Sequence, residues 1–205
     1  SDRDSVSTPF GTETLPEDQI LLDSVAHGET GADDPAGGAL VYKFTEGNTT
    51  SLVLRFTTPI GLQASNQIFI DPNTSRTEDD AALASLHTGF VAVAYSSIKN
   101  SNTGPDDRDI RMKVYSPDGS QVSGDLIVST SDKFASFPDV TELTDGTFVV
   151  AWQQVGGIAF RRYSGNGSAL DETPVIIPGS NGALVPKITP LNDHGFMVAW
   201  TNFNG

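Results

Sequence analysis

The chain has 205 residues, of which 26 are acidic and 12 basic, for a formal net charge of −14. A surface of that sign repels nucleic-acid phosphates and anionic lipid, so both are set aside as partners. There are no cysteines, which removes disulfides and thiolate metal sites, and no apolar run approaches the ~20 residues of a membrane-spanning helix.

Taken in chain order, the sequence repeats itself. An apolar strand (ILLDSVA, 20–26) leads through the loop GETGADDPAGG into GGALVYKF (37–44), which ends in an aromatic. A third strand follows, SLVLRF (51–56), closed by the turn TTPIG. The same order then recurs: DDAALASL (79–86), the turn LHTG, GFVAVAY (89–95), DIRMKVY (109–115) and the turn SPDG. It recurs as FPDVTEL (137–143), LTDG, GTFVVAW (146–152), GIAFRRY (157–163) and SGNG, and once more as VPKITPL (185–191), NDHG and GFMVAW (195–200). Short strands QIFIDP, DLIVST and TPVIIP open the second, third and fourth units.

The terminal aromatics Phe44, Tyr95, Trp152 and Trp200 are 51, 57 and 48 residues apart. Four strands per roughly 50 residues, with a turn signal every 8–12, is the pattern of propeller blades. No window carries a helical period. The expected fold is therefore all-β: a β-propeller of about three and a half four-stranded blades, in units spanning about 12–66, 67–124, 125–172 and 173–205. VVAW and MVAW read as strands buried on both faces. DIRMKVY alternates, which predicts Arg111 and Lys113 on an exposed face. The four terminal aromatics are expected at equivalent, mostly buried positions.

Candidate chemistry is confined to acidic loops. Asn102, Asp106, Asp107 and Asp109 place oxygen donors within one short segment, and Asp33 and Asp34 do so in the first unit. Calcium takes six to eight oxygens from such loops, so a calcium ion is the cofactor these positions would hold, against a plain solvated loop as the alternative. Glu78, Asp79 and Asp80 read as charges that solvate a strand edge. His27, His87 and His194 each sit beside a turn glycine in a different unit, too far apart for a shared zinc, and read as residues that tolerate a turn. No nucleophile elbow, phosphate loop or arginine triad can be assembled.

The strings DGTFVVAW and GIAFRRYSGNG resemble an FVVAW-type repeat of very large exported bacterial proteins that also carry cadherin-like domains and repeats-in-toxin segments. The resemblance covers about residues 12–205 and is carried most fully by the third unit. It implies a propeller, a secreted or cell-surface location, and a non-catalytic module for adhesion or for binding a carbohydrate or protein ligand. It transfers no catalytic residue. The alternative is a propeller hydrolase or lyase acting on extracellular polysaccharide, its active site completed by the missing half, which gains if the top-face loops of the completed ring gather two or more carboxylates and a basic residue around the axis. Three and a half blades do not close a ring, so the expected partner is a second chain that completes it: a fragment cut from the same precursor, or a homodimer mate.

Overall fold

The structure, a computed structural model, describes residues 5–8, 11–14, 19–27, 37–46, 49–57, 67–72, 76–99, 108–129 and 134–202. A hairpin of β1 (Ser5–Thr8) and β2 (Gly11–Thr14) comes first. Three four-stranded antiparallel sheets follow, each built in simple chain order. The first holds β3 (Gln19–His27), β4 (Gly37–Glu46), β5 (Thr49–Thr57) and β6 (Ile68–Phe69). The second holds β7 (Arg76–Ser85), β8 (Val91–Lys99), β9 (Arg108–Tyr115) and β10 (Leu126–Ile127). The third holds β11 (Ala135–Glu142), β12 (Phe148–Gln154), β13 (Gly157–Tyr163) and β14 (Val175–Ile176), and β15 (Ala183–Pro190) pairs with β16 (Phe196–Asn202) after it. Among the described residues there is no helix.

The short strands β6, β10 and β14 pair with β5, β9 and β13. They close the sheets they follow instead of opening the next ones. One residue beyond each, the amides of Ile70, Val128 and Ile177 bond to Leu52, Ile110 and Ile158 of the third strand at 3.0, 2.8 and 2.8 Å, which fixes the same ending in all three sheets. The turns match their sequences. Gly119 and Gly167 of SPDG and SGNG both take φ +86°, and each donates its amide to the serine three residues back.

Successive sheets pack face to face, and the second strands show why they must be apolar on both sides. Along β8, Val91, Val93 and Tyr95 join Ala39, Val41 and Phe56 of the first sheet in one core. The alternate residues Ala92 and Ala94 join Val150 and Trp152 of the third sheet in another. Such a strand has no polar face to spare. Tyr95 and Trp152 are fully buried, whereas Trp200 is half-buried against Ala151, Ile158 and Ala183. In the first sheet the fully buried aromatic is Tyr42, and Phe44, two residues on, sits half-buried edge-on to Phe69.

The alternation expected of β9 holds on one face only. Lys113 is buried, because both faces of the second sheet are covered, and its Nζ donates to the Ile70 carbonyl at 2.5 Å. This is how an amphipathic pattern survives inside a stack: the ammonium finds a backbone acceptor in the linker of the neighbouring sheet.

Candidate active site

The first strands of the sheets, β3, β7, β11 and β15, have no partner on their outer edge within their own sheets, and they pack against one another in succession. They form the axis of a propeller-type arrangement. Each carries a register shift near its middle: Leu21/Asp23, Glu78/Ala81, Ser136/Asp139 and Leu184/Lys187. A bulge re-aims side chains and frees a residue from the ladder. In β11 and β15 the bulged residues Phe137 and Val185 adopt φ +52° and +49°.

An aspartate stands at or beside the bulge in three of the four strands, and each reaches the next strand. Asp23 Oδ2 accepts the Leu83 amide at 2.8 Å and Asp139 Oδ2 accepts the Ile188 amide at 2.7 Å, while the Phe137 amide faces the Asp80 carboxyl and favours its charged form. An edge strand exposes amides without ladder partners. Asp23 and Asp139 each satisfy such an amide and latch neighbouring sheets together at the axis. In β15 the basic Lys187 takes the place of an aspartate, and its Nζ pairs with Asp139 Oδ1 at 2.9 Å.

These bulges line a cavity of about 150 Å³, walled by Leu22, Asp80, Phe137, Val185, Pro186 and Lys187. Asp80 is its one carboxyl. Its Oδ2 has no solvent-exposed surface and no hydrogen-bond partner among the described residues. Burial raises the Asp80 carboxyl above its ordinary value and the charge of Asp79 adds to the rise, while the Phe137 amide, Lys43 and Arg108 act against it. Asp79 beside it pairs with both Lys43 and Arg108. Asp23 is also raised, mainly by burial. Thus the axis gathers carboxyls from three strands together with basic groups. They come from strand bulges, not from rim loops.

Glu78 is likewise no solvated strand edge. It is 2% exposed, and its Oε1 lacks a hydrogen-bond partner among the described residues. Burial, with Asp71 adding to it, pushes its carboxyl from 4.5 up to about 7 against the pull of Arg76 and Lys113. The folded chain therefore binds more protons than the unfolded chain between those values. Stability should fall as pH rises from about 4.5 to about 7 and level off above. Glu78→Gln is expected to flatten that part of the curve and to be the more stable protein at pH 8, as urea unfolding at several pH values would read. An unchanged pH profile in the variant would count against it.

On one rim the turns of neighbouring sheets touch. His87 Nδ1 lies 2.6 Å from Glu142 Oε1, its amide donates to Glu142 Oε2 at 2.7 Å, and His194 Nδ1 lies 3.0 Å from Thr144 Oγ1. These two histidines bridge turns and do more than tolerate them. A Cβ on Gly146 would come within 2.7 Å of the His87 ring, so that turn needs its glycine for this approach as well as for its φ of +79°. Among the described residues no group of three or more His, Cys, Asp or Glu could hold a metal. Of the expected calcium ligands, Asn102, Asp106, Asp107, Asp33 and Asp34 lie outside the described residues. Asp109 is described, and its Oδ2 bonds Arg76 Nη2 at 2.9 Å.

No family model matches the chain, and neither does any curated protein sequence. Solved structures do resemble it. An α-L-arabinanase of Penicillium chrysogenum, complexed with arabinobiose, superposes with a TM-score of 0.61 at 16% identity over 90% of this chain and 54% of its own. A putative glycosidase from Bacteroides thetaiotaomicron gives 0.52 at 11% identity over 98% of this chain and 67% of its own. A thermostable family-43 glycoside hydrolase gives 0.49 at 15% identity. The likeness is one of fold, and the chain spans about half the length of the arabinanase. It corrects the expectation of a non-catalytic adhesion or display module: the folds that match with a TM-score above 0.5 are those of an arabinanase and a putative glycosidase.

Proposed function

We propose that this chain forms part of a propeller hydrolase that acts on extracellular polysaccharide, with its reacting centre at the axial cavity. The observation that carries the reading is Asp80, a carboxyl that burial holds toward its protonated form in the wall of a cavity large enough for a small polar ligand. Hydrolysis of a glycosidic bond needs one carboxylic acid to protonate the leaving oxygen and one carboxylate to activate water or to attack. Asp80 is the candidate acid. Asp79, ion-paired beside it, and Asp23 and Asp139, fixed by backbone amides on the flanking strands, are the carboxylates from which the second role would be drawn. Lys187, which also lines the cavity, supplies positive charge.

In this reading the working unit is a closed ring to which this chain contributes consecutive blades. The arabinanase likeness, which uses 54% of that enzyme, supports this. Further blades, on the same or a second polypeptide, complete the site. A secreted or surface location follows from a polymeric substrate. Incubation of the full protein with arabinan, xylan and related polysaccharides should release new reducing ends at a rate that saturates with substrate. No release from any of them would overturn the reading.

A further inference from the structure

We propose that Phe137 is a stacking platform for one sugar ring of the polysaccharide, presented to the axial cavity by the left-handed bulge of β11. This rests on the hydrolase reading of that cavity and adds a specificity-determining residue to it.

Three observations point to Phe137. First, its neighbours on β11 are sequestered: Ala135, Ser136, Asp139 and Val140 are all buried, while Phe137 is 36% exposed. Within the run 135–140 the phenyl ring is the one side chain left open. Second, its φ of +52° lies in the region that favours glycine, and Val185 takes +49° at the matching bulge of β15. Bulky and β-branched side chains are outliers there, and such conformations concentrate at ligand-binding sites. A glycine would relieve the backbone but offer no ring. Third, the cavity joins that ring and the apolar surfaces of Leu22, Val185 and Pro186 to the polar groups of Asp80 and Lys187. A sugar ring has the complementary character, with C–H faces for the apolar walls and hydroxyl edges for the carboxyl and the ammonium. The Phe137 amide faces the Asp80 carboxyl, and both residues line the cavity, so platform and candidate acid are neighbours.

The test separates binding from turnover. In the full protein carrying Asp80→Asn, titration calorimetry with arabinobiose, xylobiose and cellobiose measures affinity without cleavage, and thermal melts run alongside. Phe137→Gly is expected to weaken binding of the preferred disaccharide at least tenfold. Its melting temperature should hold within about 2 °C or rise, because glycine suits the positive φ. Phe137→Tyr, which keeps the ring, should bind within about threefold of the parent. Undiminished binding by Phe137→Gly would overturn the platform and leave the cavity reading standing. So would a fall in melting temperature matching the loss of binding, since that marks a packing role. Failure of the Asp80→Asn parent to bind any disaccharide, with no hydrolysis by the wild type, would remove the cavity reading and the platform with it.

Discussion

Asp80→Asn is expected to lower polysaccharide hydrolysis by about 10²–10⁴-fold, the usual loss when a general acid is removed. The fold should survive the change. Asparagine has the same size and shape, and burial already disfavours the charged carboxylate that the substitution removes. A melting temperature within a few degrees of wild type, together with the loss of turnover, would separate chemistry from stability. If Asp80→Asn kept a tenth or more of wild-type turnover, Asp80 would not be the proton donor.

Trp152→Ala is expected to cost about 3–5 kcal/mol in urea unfolding, the range for removing a large aromatic from a packed core. The side chain is fully buried, and its indole ring lies in the core that joins the second and third sheets, among Ala92, Ala94, Met112 and Ala159. The loss therefore falls on the packing between sheets as well as within one. Its Nε1 donates to Gln154 Oε1 at 2.9 Å, so truncation also leaves that acceptor without its partner. The midpoint should move to lower urea with little change in slope. A cost below about 1 kcal/mol would mean that the sheets are not held together there.

The strands and turns were legible because each is a local matter. GTFVVAW carries its apolar run and its turn glycine within seven residues, and SGNG requires positive φ wherever it occurs. What proved illegible depends on neighbours that are distant in sequence. Lys113 alternates with apolar residues and so reads as exposed, yet its acceptor is the Ile70 carbonyl, 43 positions away. Asp80 reads as a solvating charge until β11 is laid beside β7 and the Asp80 Oδ2 loses its exposed surface. A signal was present for the latches: Asp23 and Asp139 hold the same register, opposite Val41 and Ala151, where β7 has Ala82 opposite Ala94. Asp80 stands two residues before that position, outside the repeat. The bulges that turn Phe137 and Val185 toward the cavity have no such signature, because nothing in FPD or VPK demands a left-handed residue.

The central claim is that burial at the axis holds the Asp80 carboxyl toward its protonated form in a cavity that receives saccharide. Carbon-13 NMR of the aspartate carboxyls, followed through a pH titration with and without arabinobiose, tests both halves in one measurement. Asp80 and Asp23 should titrate above the ordinary aspartate value. Asp118, Asp145 and Asp171, which hydrogen bonds from Ser116, Thr147 and Arg162 stabilise in the charged form, should titrate below it. Saccharide should move the Asp80 resonance and leave that of Asp118 in place. An Asp80 that titrates at or below the ordinary value, or that does not respond to saccharide at millimolar concentration while Asp118 does, would contradict the account.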